Sequence, residues 1–344
     1  MKEKTYYFIL SGTYYGLSEG ELNALFEIYD IDISKETSLS QLRIIKIKDC
    51  DNIIAEIIRR AGSIKEAGEI VSIYSMDESS LEEKIVSDAM SFFNELLDEC
   101  WVDSKSIKGF GKEYIDKMRL SIARRICRKI HSRARTRLSL VATDGVILLG
   151  RVIGKLDTKS FMERKPSLRP FFRSIAMPVQ LSRILVNLSR LRPGEVFLDP
   201  FCGTGSIVIE AYLVGGKPIG IDINWDIVKG ARLNLKHYHM LGSEIILSDA
   251  RAAKLKHVHA IATDPPYGRS ASTYGEDVKK LYMDFISNAS NILLSKRYMV
   301  FMAPVWLEKY IDEVLCDKGF ILRRKYYMYV HSALTRIVYE AMKI

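Results

Sequence analysis

Val196-Phe197-Leu198-Asp199-Pro200-Phe201-Cys202-Gly203-Thr204-Gly205 is a short apolar run that ends on a carboxylate and passes through two glycines into a helical pattern beginning near Ser206. Gly203 and Gly205 let the backbone approach a ligand closely just before a helix N-terminus. From this stretch outward the chain alternates apolar strands with amphipathic helices, the pattern of a doubly wound parallel sheet. Strands are expected at 196–198, 218–221, 244–247, 260–263 and 298–302. A last pair, at 321–330 and 335–342, has so short a connection that it must be antiparallel.

Four of these strands run into an aspartate: Asp199, Asp222, Asp249 and Asp264. Ligands of such sheets bind beyond the carboxyl ends of the strands, so the four carboxylates are aimed at one cleft. A dinucleotide fingerprint would have a third glycine where Val208 stands, and Asp199 would repel a pyrophosphate. S-adenosylmethionine, with an ammonium and a sulfonium but no phosphate, suits the same loop. Asp222 lies 17 residues after Gly205, close to the usual place of an acid that binds ribose hydroxyls. Asp249-Ala250 then falls where an adenine amine would be met. Asp264-Pro265-Pro266-Tyr267-Gly268 is the most specific element. Two prolines extend the backbone and remove two N–H donors, leaving acceptors beside an aromatic ring. The Asp264 carboxylate and the Pro265 carbonyl can each accept a hydrogen from an NH2 on a planar ring, while Tyr267 stacks on that ring.

These residues resemble the Rossmann-like, S-adenosylmethionine-dependent amino-methyltransferases, whose hallmark is Asp/Asn-Pro-Pro-Tyr/Phe/Trp. More closely, the chain is similar to the archaeal tRNA guanosine-10 N2-methyltransferases that carry a THUMP domain. The supporting segments are Gly150-Arg151-Val152-Ile153, Arg169-Pro170-Phe171-Phe172, the stretch 263–270 and His331-Ser332-Ala333-Leu334-Thr335-Arg336. The last departs from the family at Ala333, where a serine is usual. The resemblance implies an α/β, Rossmann-like class I methyltransferase domain at 174–344. Ahead of it come an α+β ferredoxin-like domain at 1–70, a THUMP domain at 71–156 and a linker at 157–173. The linker also follows from composition, since seven residues of that stretch are Lys, Arg or Pro. The implied catalytic residues are Asp264, Pro265, Pro266 and Tyr267. The cofactor-binding set is Met177, Asp199, Pro200, Cys202, Gly203, Thr204, Gly205, Asp222, Ile223, Asp249, Ala250 and Asp264. Implied partners are tRNA and, as in some relatives, a small zinc-binding activator protein, with the chain itself a monomer.

The first 150 residues read as short strands and helices. Strands are expected at 6–10, 42–46 and 69–74, helices at 18–29, from Ile53 and at 81–97, and a hairpin at Thr143-Asp144-Gly145. The 344 residues hold 51 basic and 42 acidic side chains, a net charge of +9. Residues 117–143 carry nine basic residues and no acid, so this stretch accounts for the whole excess. Ile115, Met118, Ile122, Ile126 and Ile130 recur at helical spacing, which predicts one amphipathic helix through Ile130. A solvated face normally mixes signs, so a polyanion is favoured over bulk solvent, and nucleic acid over anionic lipid. The candidate RNA-binding residues are Lys108, Arg124, Arg125, Arg128, Lys129, Arg133, Arg135 and Arg137. Lys108-Gly109-Phe110-Gly111-Lys112 is either a basic loop with a stacking aromatic or an ordinary turn.

No apolar run approaches the roughly 20 residues of a membrane span, and the N-terminus lacks the features of a signal peptide. A cytoplasmic protein without membrane association is expected. The five cysteines are scattered, so no disulfide framework and no zinc site is expected. His237/His239 and His257/His259 lack partner ligands, and no metal is assigned. Two other functions use parts of the same pattern. A non-catalytic RNA-binding protein would have no need of the Asp264-Pro-Pro-Tyr turn. A DNA amino-methyltransferase would carry a target-recognition region in place of the THUMP resemblance. Guanosine 6 of tRNA is the nearest alternative target.

Overall fold

The computed structural model describes residues 3–109, 111–174, 176–267, 278–331 and 334–344. Tyr6, Tyr7, Phe8, Ile9 and Leu10 are all buried, as suits a central strand covered on both faces. That strand, β1 (Glu3–Leu10), is followed by α1 (Tyr15–Ile28), β2 (Lys35–Leu39), β3 (Leu42–Lys48), α2 (Asp51–Arg60) and β4 (Ile64–Ser75). Next come α3 (Leu81–Phe93), β5 (Leu97–Ser106), α4 (Lys112–Ile126), β6 (Cys127–Ile130), β7 (Thr136–Thr143) and β8 (Val146–Lys155). Contacts group Met1–Glu19 with Tyr29–Leu156 in one unit, and Gly20–Ile28 with Asp157–Ile344 in a second.

The strands of the first unit form one sheet of order β2-β3-β1-β4-β8-β7-β5-β6. The division expected at residue 70 therefore falls inside β4, which pairs with β1 on one side and β8 on the other. β7 and β8 meet at Thr143↔Val146, and Asp144 and Gly145 turn the chain with positive φ (45° and 82°), a two-residue hairpin. Arg151, in the expected Gly150–Ile153 segment, pairs with Glu69 and Asp51.

Three differences from the sequence expectations arise here. The helix expected at 81–97 stops at Phe93, where Asn94 takes the left-handed conformation (φ 58°) that ends helices, and β5 begins at Leu97. The basic helix ends at Ile126, where Cys127 turns extended (φ −131°), and Cys127–Ile130 is a strand beside β5. Ile115, Met118, Ile122 and Ile126 are buried as the helical stripe requires, whereas Ile130 is exposed. Adjacency of β5 and β6 also joins Cys100 to Cys127 in a disulfide, with Cα atoms 5.8 Å apart. This corrects the expectation of no disulfide, since strand adjacency leaves no trace in cysteine spacing.

The second unit holds α5 (Thr158–Glu163), α6 (Val179–Leu188), β9 (Val196–Asp199), α7 (Ser206–Leu213), β10 (Lys217–Asp222), α8 (Trp225–His237) and β11 (Glu244–Leu247). It continues with β12 (Val258–Thr263), α9 (Val278–Ile292), β13 (Leu293–Pro304), α10 (Glu308–Asp317), β14 (Phe320–His331) and β15 (Leu334–Lys343). Sheet order is β11-β10-β9-β12-β13-β15-β14, parallel through β13 and antiparallel in the last two strands. Phe301 stacks on Tyr339 in its core and meets Phe285 edge to face. No helix among the described residues is long and apolar enough to cross a membrane.

The stretch expected as a linker is folded into this unit. Arg164 donates to Glu210 (2.9 Å) and Arg169 to the Ser206 hydroxyl (2.6 Å). Its basic composition suggested solvent, yet Arg169 is buried because its partners come from α7, far away in sequence.

Candidate active site

Parallel strands end at one edge of a sheet, so β9, β10 and β12 bring Asp199, Asp222 and Asp264 to the same edge, with Gly220 opposite Asp199. A cavity at this edge is lined by Met177, Asp199, Cys202, Gly203, Thr204, Asp264, Pro265, Pro266 and Tyr267, together with Arg173, Phe201 and Arg336. Of the expected cofactor residues, Pro200, Gly205, Asp222, Ile223, Asp249 and Ala250 do not line it. Asp222 is one contact away, accepting from Gly203 N (3.3 Å) and Asn224 N (2.9 Å). The Asp249 carboxylate is spanned by Arg251, whose hydrogen bonds hold it below the usual carboxylate range.

Gly203 (φ 50°) and Gly205 (φ 85°) form a left-handed turn that leads into α7. A Cβ built on Gly203 would meet nothing within 4 Å, so the space above this turn is open for a ligand. Asn234 of α8 locks the turn from behind, donating to the Thr204 carbonyl (3.0 Å) and the Phe171 carbonyl (2.9 Å) and accepting from Phe171 N (2.9 Å). Phe171 in turn lies against Gly230, where any Cβ would sit 2.2 Å from its ring. The Arg169–Phe172 segment thus braces the glycine turn and leads to Arg173 and Met177 in the cavity wall.

Asp199 is buried, accepts from the Thr263 hydroxyl (2.7 Å) and from Phe201 N (3.3 Å), and is pushed up to about 7 by loss of solvent. Nearby Asp264 and Asp222 add to the shift. Asp199 in the wall and Asp222 just behind it, beside an open glycine turn, fit the ammonium and hydroxyls of S-adenosylmethionine. The sign of the shift gives a prediction. The free protein holds Asp199 protonated below about pH 7, and a cationic ligand binds the ionised form. Titration calorimetry in buffers of different ionisation enthalpy should therefore find about one proton released on binding at pH 6, and close to none at pH 8.5. Equal proton release at both values would contradict the placement of the ammonium at Asp199. Stability linkage runs the same way: the folded chain holds this proton more tightly than the unfolded one, so the contribution of Asp199 to stability is full below pH about 4 and is lost as pH rises through about 7.

Across the cavity, Pro265 and Pro266 follow β12 without N–H donors, and the Tyr267 hydroxyl donates to Asp264 Oδ1. Burial raises the Asp264 carboxyl, while Tyr267 and the charge of Arg336 oppose the rise. Gly268 to Ser270 lie outside the described residues, as do Ser332, Ala333 and the His331 side chain. Arg336, in the same segment, does line the cavity. Thr263, Asn234 and Arg173 were not among the expected site residues. Thr263 had one available signal, its position at the end of a strand beside the Asp-Pro-Pro turn.

The expected RNA-binding residues are spread over five stretches of the first unit, not one helix. Lys108 is exposed in a turn, Arg124 and Arg125 on α4, Arg128 and Lys129 on β6, and Arg133 and Arg135 in the following turn. Arg137, on β7, is half-buried and donates to the Ser132 carbonyl. Arg125 lies near Glu82 and Glu83, and Arg128 near Asp98. Phe110 lies outside the described residues.

A seven-stranded sheet of this order, with a glycine turn after β9 and a Pro-Pro turn after β12, defines a Rossmann-like class I methyltransferase. The fold agrees with the crystal structure of TrmN from Thermus thermophilus (TM-score 0.60, 16% identity, 99% of this chain and 100% of that one). It also agrees with that of SMU.472, a putative methyltransferase complexed with SAH (TM-score 0.56, 13% identity, 100% and 99%). The chain belongs to the UPF0020 family (RMKL-like, methyltransferase domain), whose model matches residues 166–337. The tRNA (guanine(10)-N2)-dimethyltransferase of Methanocaldococcus jannaschii is 30% identical over 98% of this chain and 99% of that protein. The enzyme of the same name from Methanothermobacter thermautotrophicus is 43% identical over 192 residues, and this match spans little more than half (56%) of each chain.

Proposed function

We propose that this protein transfers methyl groups from S-adenosylmethionine to the exocyclic N2 amine of a guanosine in tRNA, at position 10 as in the names of its relatives. The observation that carries the proposal is the acceptor-lined Asp264-Pro265-Pro266-Tyr267 turn facing the glycine turn across one cavity. When bound, S-adenosylmethionine supplies an electrophilic methyl on a sulfonium. Met177, Asp199 and the 202–205 turn hold the donor, and Asp222 with Ile223 meets its ribose. Asp249-Ala250, beyond β11, remains the proposed place of its adenine. Asp264 and the Pro265 carbonyl accept the two amine hydrogens, which turns the nitrogen lone pair out of conjugation and toward the methyl. Tyr267 stacks on the flipped base, and Asp264 takes the proton that the amine loses. Labelled methyl transfer to tRNA, with none to duplex DNA, supports this reading; transfer to duplex DNA and none to tRNA would replace it with the DNA alternative.

The first unit supplies the tRNA-binding surface, with ferredoxin-like and THUMP modules that meet within β4. Reversing Arg124, Arg128 and Arg135 to glutamate is expected to weaken tRNA binding at least about 10-fold and flatten its salt dependence by about two to three charges' worth. Transfer at saturating tRNA should stay close to wild type. An unchanged salt slope in a filter-binding series would remove these residues from the interface. The protein acts in the cytoplasm, as a monomer or with a small zinc-binding activator. The open edge strand β11, near the exposed Leu233, Leu241 and Leu247, is a suitable seat for such a partner.

A further inference from the structure

Arg336 takes no part in the chemistry above, yet it stands in the cavity wall. β15 runs antiparallel to β13, so its first residues return to the edge where the parallel strands end. There Arg336 lies opposite Pro304 on one side and Met328 on the other. Its guanidinium carbon is 5.0 Å from the centroid of the Tyr267 ring, and Nη1 is 3.9 Å from Asp264 Oδ2. Its Nε is shut off from solvent and has no hydrogen-bond partner among the described residues, a costly state that a ligand acceptor would relieve. A guanidinium held on the face of an aromatic ring occupies the layer that a stacked base would fill.

We propose that Arg336 keeps the place of the target base in the free protein and, when the base enters, slides to its edge and donates to the guanine ring nitrogen N3. The inference rests on the guanine-N2 reading given above. A guanidinium offers donors only, so it must meet an acceptor. The guanine amine stands between N1–H, a donor, and N3, an acceptor bonded to the same carbon. With the amine hydrogens taken by Asp264 and Pro265, the acceptor next to Asp264 is N3. Lateral motion keeps the guanidinium in the plane of the base, where a hydrogen bond to a ring nitrogen is best aligned.

The test pairs two tRNAs, one with guanosine and one with 3-deazaguanosine at the target position, against wild type, Arg336→Ala and Arg336→Met, the last keeping an apolar stem of similar length. Loss of N3 should lower the wild-type kcat/KM about 10- to 100-fold. Both variants should lose a similar factor on the guanosine tRNA and show no further loss on the deaza tRNA. A deaza penalty that is absent in the wild type, or equal in the wild type and either variant, would overturn the role of Arg336. Failure of the wild type to methylate the guanosine tRNA would overturn the guanine-N2 reading itself, and this inference with it.

Discussion

Replacing Asp264 by alanine is expected to slow single-turnover methyl transfer by about 10³-fold or more, with tRNA affinity within about 2-fold of wild type. The carboxylate sits at the end of β12, half-buried, with Oδ1 accepting from Tyr267 and Oδ2 facing Arg336. No other carboxylate lies in the Pro-Pro turn, so its removal leaves the amine with the Pro265 carbonyl alone. The amine then stays conjugated with its ring and is a poor nucleophile. Asp264→Asn keeps one acceptor oxygen and should retain more activity than alanine. The raised pKa of Asp264 adds a signature: the ionised form is the working one, so the wild-type rate should fall as pH drops through that pKa, and the asparagine variant should lack this acidic limb. Alanine activity within about 10-fold of wild type would remove Asp264 from the chemistry.

Glu210→Ala is expected to destabilise the second unit by about 3–5 kcal/mol, lowering its melting temperature by about 10 °C. Glu210, on α7, has no solvent exposure and accepts from Arg164 (2.9 Å) and Arg183 (2.6 Å), themselves nearly buried. Removing the carboxylate leaves two guanidinium charges in a low-dielectric interior. Because α7 grows directly out of the Gly203–Gly205 turn, donor affinity should weaken along with stability. Glu210→Gln, which keeps one acceptor oxygen but neither the charge nor the second acceptor, should lose somewhat less than alanine. Thermal and urea unfolding within about 1 kcal/mol of wild type for the alanine variant would show that the cluster does not support this helix.

What could be read from the sequence was whatever depended on neighbours along the chain. Short apolar runs ending in Asp199, Asp222 and Asp264 placed three sheet strands, because strand and turn are both local there. The two turns were visible because proline restricts the backbone and glycine frees it for left-handed φ wherever they stand. Long-range partners were not visible. Arg164 and Arg169 looked like linker charges until α7 supplied Glu210 and Ser206. Ile130 matched the helical period of Ile122 and Ile126 but belongs to β6, which exists because β5 lies beside it. β5 itself is mostly polar and alternates weakly, with only Cys100 and Val102 fully buried. Arg336 reaches Asp264 solely because β15 reverses direction.

The most direct test of the central claim uses purified protein, an unmodified tRNA transcript and S-adenosylmethionine with a deuterated methyl, followed by nuclease digestion and mass spectrometry of the fragments. The label is predicted in N2-methylguanosine or N2,N2-dimethylguanosine within the fragment that contains position 10. Label on adenine or cytosine, on a guanosine elsewhere in the tRNA, or on no nucleoside at all would contradict it.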